Sequence, residues 1–139
     1  MQEDKPLVEF HLDHSSGVAP YLQIVQQVKQ YLSLGFIQPG DQLPSMREVV
    51  ARLTINPNTV MKAYHELEME GLVKSRPGKG MFVQPVPAGP SVATYHQFQQ
   101  RLASWFSDAY EAGLDRDRIE ALITTTHYQI ILRRMEESA

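Results

Sequence analysis

Two helix-start signals, eleven residues apart, constrain the fold of this chain more than any other feature. Ser45 followed by Glu48 forms a capping box, in which the serine oxygen accepts a hydrogen bond from the backbone three residues on. Asn56 followed by Pro57 is a second start, with asparagine as the cap and proline in the first turn. Only a short helix and a tight turn fit between the two signals, so the sequence predicts a helix-turn-helix.

Another helix precedes this pair and a hairpin follows it. Pro20 opens a stretch whose apolar residues recur at three- and four-residue steps until Gly35. After Gly71 ends the third helix, residues 72–75 and 81–84 read as two short strands joined by the glycine-rich loop 76–80. The alternation of Val8, Phe10 and Leu12 predicts a further strand near the start.

The order helix, helix, helix, hairpin predicts a fold that is mainly α with a small β wing (α+β). Residues 1–84 form a winged helix-turn-helix, residues 85–94 a proline-rich linker, and residues 95–139 a short two-helix unit. In such a fold the third helix can lie in the major groove of DNA with its N-terminal residues against base edges. The predicted core stripe is Val60, Ala63, Tyr64 and Leu67, which leaves Asn58, Thr59, Lys62 and His65 exposed.

The distribution of charge permits DNA binding although the chain has a net charge of −3. Residues 41–94 carry six basic and five acidic side chains, a net charge of +1, whereas residues 1–40 and 95–139 carry −2 each. Asparagine can read adenine, threonine a base or a phosphate, and lysine guanine or a phosphate. The pattern favours DNA, but a winged helix that binds protein or RNA without recognising an operator stays open as the alternative.

The C-terminal unit is predicted to make the protein a homodimer. Two helices this apolar cannot bury their faces against each other alone. Either a second copy covers them or they pack onto the winged helix of their own chain. The candidate dimerisation residues are Tyr95, Phe98, Leu102, Trp105, Phe106, Ile119, Leu122, Ile123, Ile130 and Ile131. Asp115 is the expected cap of the second helix, and Thr124–Thr126 weaken the expectation that this helix is continuous.

Several functional classes are disfavoured by the residues. The chain has no cysteine, which excludes disulfides and thiolate chemistry. His11 and His14 lie in a polar segment with no further ligands nearby, so neither a metal site nor a cofactor is predicted. No nucleophile–base pair, phosphate loop or carboxylate pair indicates an enzyme. With no signal peptide and no membrane-length apolar run, we expect a cytoplasmic protein without membrane contact.

The segment from Pro39 to Val83 resembles the DNA-binding domain of the GntR family of bacterial regulators, and the resemblance extends back to about Pro20. It rests on Pro39-Gly40, Leu43-Pro44-Ser45, Arg47-Glu48, Asn58-Thr59, Leu67, Gly71-Leu72 and the glycine-flanked wing. Asn56-Pro57-Asn58-Thr59 and the short C-terminal part are most similar to the YtrA subfamily. Pro57 stands where some other subfamilies place a DNA-contacting arginine, so that contact is not carried over.

The resemblance implies a transcription regulator, a repressor by expectation, that binds an inverted-repeat DNA operator as a homodimer. It implies DNA contacts by Arg47, Asn58, Thr59 and Gly78. From their charge, Lys62, Arg76 and Lys79 are added as candidate phosphate contacts, and Ser45 is a further candidate DNA contact. Control of a transporter operon and response to a small-molecule effector are further implications. No residue identifies the effector.

Overall fold

The computed structural model describes residues 8–85 and 89–139, which belong to two compact units that divide between Val92 and Ala93. The first unit contains three helices and a hairpin, and the second contains two helices, which confirms the predicted fold class. The elements are α1 (Pro20–Ser33), α2 (Met46–Leu53), α3 (Pro57–Met69), β1 (Val73–Arg76), β2 (Gly80–Val83), α4 (Val92–Glu111) and α5 (Arg116–Glu137).

The predicted caps start three of the helices. The Ser45 Oγ accepts a hydrogen bond from the Glu48 N–H at 3.1 Å, and the Asn56 Oδ1 accepts one from the Asn58 N–H at 2.8 Å. At α5 the Asp115 Oδ1 accepts from the Arg118 N–H at 2.9 Å. Each cap satisfies a backbone donor that has no partner within the helix. Short local signals therefore fixed the beginnings of α2, α3 and α5.

The core of the first unit lies between α1 and the helix-turn-helix. Val60, Ala63 and Leu67 of α3 are completely buried, and Tyr64 is 3% exposed, which confirms the predicted stripe. α3 packs against α1, α2 and β1, so it is the central element of the unit. The remaining members of this core include Ile24, Val25, Val28, Ile37, Leu43, Val49, Val73 and Val83.

The N-terminal arm, residues 8–13, is not the strand that its alternation predicted. Val8 and Phe10 are buried, but the backbone of the arm pairs with side chains of α1 instead of another strand. The Gln27 amide accepts from the His11 N–H at 3.0 Å and donates to the His11 carbonyl at 2.7 Å. One turn earlier, the Gln23 amide makes the same pair of bonds to Asp13, at 2.8 and 3.0 Å. An apolar residue at every second position predicts an extended backbone, but the pattern does not reveal which groups form hydrogen bonds with that backbone.

The hairpin forms a two-stranded antiparallel sheet in which Val73 pairs with Val83 and Arg76 with Gly80. The predicted strands are confirmed with their bounds shifted by one residue. The segment before α2 adds to this sheet through a bridge between Gln42 and Phe82. The hairpin is consequently attached to the chain on both sides of the helix-turn-helix.

The second unit consists of the two helices α4 and α5 joined by a short turn. Ala109 of α4 and Ile119 of α5 are its buried residues, and most of its large apolar side chains are exposed. α5 continues through Thr124–Thr126, where the Thr125 hydroxyl donates to the Ala121 carbonyl at 2.8 Å. Within residues 8–85 and 89–139, no helix combines the length and apolar character that crossing a bilayer requires.

Candidate nucleic-acid interface

The candidate DNA-contacting residues lie on the start of α2, on α3 and on the wing, which is the β1–β2 hairpin. Two side chains of α3 connect this helix to the other two elements. The buried Tyr64 hydroxyl donates to the Pro44 carbonyl at 2.6 Å, which fixes the start of α2. The Glu68 carboxylate accepts from the Ser75 N–H at 2.8 Å, which fixes strand β1. Tyr64 and Glu68 are four residues apart and therefore lie on the same side of the helix. The N-terminus of α2 and the wing are consequently attached along one flank of α3.

The phenol of Tyr64 is held in its neutral, donating form. Burial of the ring and, secondarily, the charge of Glu48 raise the pKa of Tyr64 well above its ordinary value. Both causes disfavour the phenolate, the first by removing water and the second by repulsion. The hydrogen bond to Pro44 is therefore preserved throughout the physiological pH range.

At the start of α2, Ser45 and Arg47 are both exposed. The Ser45 oxygen is used as the helix cap, but its hydroxyl can donate to a phosphate at the same time. Arg47 lies in the first turn, where a guanidinium can extend from the surface toward DNA. Both residues are therefore accessible at the N-terminus of α2, where the resemblance predicts a contact by Arg47.

On α3 the exposed residues of the first two turns face away from the core. Asn58 is exposed and Thr59 is half-buried, while Lys62 and His65 are exposed one and two turns further on. The Lys62 ammonium lies 4.1 Å from the ring centroid of Tyr21 in α1. This cation–π contact holds the lysine toward α1. Sequence reasoning missed the contact because Tyr21 and Lys62 are 41 residues apart.

Two acidic residues at the end of α3 have structural partners. Glu68 binds Ser75, and Glu70 forms an ion pair with Lys29 of α1 at 2.8 Å. Their charges are therefore partly compensated within the fold and lie at the C-terminal end of the helix. This leaves the N-terminal half of α3, with its exposed amide and partial positive charge, as the part suited to an anionic duplex.

The wing loop is braced at its base and open at its tip. The Gln42 amide donates to the Lys79 carbonyl at 2.6 Å. A Cβ on Gly80 would lie 2.6 Å from the Gln42 Nε2, so a side chain there would displace this brace. At the tip, Gly78 adopts a left-handed φ of 73° and a Cβ there would meet nothing within 4 Å. The open tip allows close approach of a large ligand.

Arg76 and Lys79, the two candidate residues with positive charge in the wing, are exposed, and a ring contact holds Arg76 in place. The Arg76 guanidinium lies 4.5 Å from the ring centroid of Phe82 on the facing strand. Lys79 donates its backbone N–H to the Arg76 carbonyl at 2.9 Å across the loop. Neither contact removes the positive charge from the surface. As a result, the wing presents two cations on a compact turn.

In the second unit, most candidate dimerisation residues are exposed although they are apolar. Phe98 is 60% exposed and Leu102 51%, while Leu122, Ile123, Ile130 and Ile131 are each near 40%. Trp105 packs edge-on against Phe106, with ring centroids 5.3 Å apart. Tyr95 and Phe106 are half-buried, and of the candidates only Ile119 is fully buried. α4 and α5 thus leave a large apolar surface uncovered among the described residues.

Comparison with known proteins gives consistent matches. Residues 20–83 match the sequence profile described as "Bacterial regulatory proteins, gntR family". The chain is 34% identical to the HTH-type transcriptional repressor YtrA of Bacillus subtilis over 113 residues, which cover 81% of this chain and 87% of that protein.

Two solved structures are similar in fold. A transcriptional antiterminator from Listeria monocytogenes is 31% identical, with a TM-score of 0.55, covering 88% of this chain and 92% of that chain. YtrA from Sulfolobus acidocaldarius, a GntR-family transcription factor, is 28% identical, with a TM-score of 0.52, covering 72% of this chain and 97% of that chain. Together with the profile match, these similarities show that the chain belongs to the GntR family and is a YtrA-like DNA-binding transcription regulator with a winged helix-turn-helix.

Proposed function

We propose that this protein is a sequence-specific repressor that binds an inverted-repeat operator as a homodimer. The observation that carries the proposal is the attachment of the α2 N-terminus and the wing to one flank of α3, through Tyr64 and Glu68. Three surfaces that can touch a duplex are thereby held as one unit. Recognition of a fixed base sequence needs this kind of rigid positioning.

The proposed base contacts come from the start of α3. Asn58 can form two hydrogen bonds to an adenine edge, and Thr59 can contact a base or a phosphate. Arg47 at the start of α2 is the third proposed contact, by resemblance to the family. Lys62, Arg76 and Lys79 are proposed to bind phosphates, which fix the register without reading sequence. Ser45 and Gly78 complete the proposed interface.

The proposed dimer forms through residues 95–139. The exposed apolar side chains of α4 and α5 have the composition of a subunit interface, and the same two helices of a second copy would cover them. Most homodimers have two-fold symmetry, which matches an operator made of two inverted half-sites about one helical turn apart. Residues 1–84 would then be the DNA-binding domain and residues 85–94 the linker.

The direction of regulation is proposed from the similarity to the Bacillus subtilis protein, which is a repressor by name. Such a protein works where the chromosome is, in the bacterial cytoplasm. Control of a transporter operon and release or promotion of binding by a small-molecule effector remain expectations from the family resemblance. We place no effector site within the two helices of a single chain, because so short a helix pair cannot enclose a sizeable ligand.

Operator recognition is tested by selecting bound duplexes from a random pool at near-physiological salt. The wild type is compared with Arg47→Ala and with Arg133→Ala, which removes an exposed arginine of α5 and serves as the matched control. We expect one inverted repeat to be enriched by the wild type and the control and lost with Arg47→Ala. Equal, weak recovery by all three proteins would indicate salt-dependent backbone binding alone and would overturn the proposal.

The dimer is tested separately by sedimentation equilibrium. We expect the wild type to have twice the chain mass of 15.8 kDa, and Ile123→Asp to have the mass of one chain. Ser138→Asp adds the same charge beyond the end of α5 and should remain dimeric. A monomeric wild type at micromolar concentration would contradict the proposed assembly while leaving DNA binding by a single unit open to measurement.

A further inference from the structure

Met61 is a large apolar side chain on the surface of α3, and 53% of it is exposed. It lies in the second turn, directly after the completely buried Val60. Isolated exposed apolar residues are common on proteins and need no explanation by themselves. The position of this one relative to the interface gives it significance.

Helix geometry places Met61 on the side of α3 that faces the α2 start and the wing. With about 3.6 residues per turn, Met61 stands next to Asn58 in the previous turn and His65 in the next. It is also two turns before Glu68, which binds the wing strand. Met61 therefore lies between the exposed polar face and the flank to which the wing is attached.

The neighbouring lysine points the other way. Lys62 is held over the ring of Tyr21 in α1 at 4.1 Å, so its ammonium is directed toward α1. In the second turn of α3, the side chain between Asn58 and the wing flank is consequently methionine and not a cation. Whatever this part of the helix meets must suit an apolar, unbranched and polarisable group.

We propose that Met61 contacts the C5-methyl group of a thymine and thereby specifies that base at one position in each half-site. This inference rests on the proposed operator binding. Methionine has no hydrogen-bond donor and only a weak acceptor, so it cannot read the polar edges of bases. The major groove displays one apolar group among the four bases, the thymine methyl. Asn58 suits adenine, so the pair would read adjacent positions of an A·T-containing half-site.

The test replaces each thymine of the selected operator, one symmetric pair at a time, by deoxyuridine. This change removes the methyl group and keeps the hydrogen-bonding pattern. Wild-type affinity should fall by about fourfold per half-site at one position, the effect of losing one buried carbon. Met61→Ala, and Met61→Gln as a second variant of similar length, should bind thymine and deoxyuridine equally at that position.

Met69→Ala is the matched control, because Met69 is 72% exposed in the same helix but lies at its acidic end. It should retain the full deoxyuridine penalty. If the Met61 variants lose the same factor as the wild type at every thymine, or if the wild type has no thymine with a penalty, the inference is overturned while operator recognition stands. If the wild type selects no sequence at all, the proposed function itself fails.

Discussion

Replacing Tyr64 with phenylalanine removes a single oxygen atom from beneath the DNA-binding surface. The ring stays in place, so no cavity forms in the core. What is lost is the 2.6 Å hydrogen bond to the Pro44 carbonyl, which anchors the start of α2. Tyr64 is 3% exposed and Pro44 is half-buried, so water can replace only part of this bond.

The expected cost is about 1.5 kcal/mol in the free energy of unfolding at neutral pH. A neutral hydrogen bond contributes about 0.5–1.5 kcal/mol net, and leaving a buried acceptor unpaired costs about 1–3 kcal/mol. Because Pro44 is half-buried, we expect a value where the two ranges overlap. A loss below about 0.5 kcal/mol would mean that water fully replaces the phenol.

Alkaline pH supplies an independent check of the same group. The folded pKa of Tyr64 is raised, so its stabilising contribution is complete below the unfolded pKa of about 10 and declines as pH rises above it. Above about pH 10 the unfolding free energy of the wild type should fall by about 1.4 kcal/mol per pH unit relative to that of Tyr64→Phe. The unfolding free energies of the two proteins should become equal at about pH 11. The other ionisable groups titrate in both proteins and cancel.

Urea unfolding of both proteins, followed by circular dichroism at intervals from pH 7 to pH 11, measures the difference directly. A difference that stays constant over this range would show that Tyr64 ionises as readily in the folded protein as in the unfolded one. That result would refute the argument from burial.

Three further substitutions test other contacts. Gln27→Ala should lower the unfolding free energy by about 1–3 kcal/mol in urea titrations, because both main-chain groups of His11 lose their partner; an unchanged midpoint would mean that the N-terminal arm is not held there. Asn56→Ala should cost about 1 kcal/mol through loss of the α3 cap, whereas Asn56→Asp should cost little; equal losses in thermal melts would argue against capping. Lys29→Met should cost less than about 0.5 kcal/mol, and only at low salt, because both partners of its ion pair with Glu70 are well exposed; a salt-independent loss would contradict this.

The parts of the fold that could be predicted from sequence are those fixed by local chemistry. Ser45, Asn56 and Asp115 each cap a helix through a backbone group two or three residues away, so the signal and its effect lie together in the sequence. The stripe of α3 follows from helical periodicity. Thr124–Thr126 do not interrupt α5, because the Thr125 hydroxyl donates to the carbonyl four residues earlier while the backbone stays helical.

The parts that could not be predicted depend on partners distant in sequence. The N-terminal arm has the two-residue repeat of a strand, but its partners are the amides of Gln23 and Gln27. Likewise, nothing local to Lys62 or Arg76 indicates that each lies over an aromatic ring. Of the candidate site, the sequence indicated the exposure of Asn58, Lys62 and His65 on α3, but Thr59 is half-buried and the exposure of Met61 was not indicated. It did not indicate that Tyr64 and Glu68 join the three surfaces.

The glutamine pair on α1 also affects how this protein can diverge or be engineered. Gln23 and Gln27 bind main-chain groups of the N-terminal arm and not its side chains. The residues that they bind, Asp13 and His11, are two apart and so face the same side of the extended backbone. Substitutions at the exposed His11 keep those main-chain groups and should be accepted, proline excepted, whereas the Asp13 carboxylate also accepts from the Ser15 N–H and hydroxyl. Deleting one residue between the arm and α1 would shift the backbone out of phase with the amides and turn Val8 and Phe10 away from the core. At this edge of the domain, spacing is thus constrained more strongly than composition.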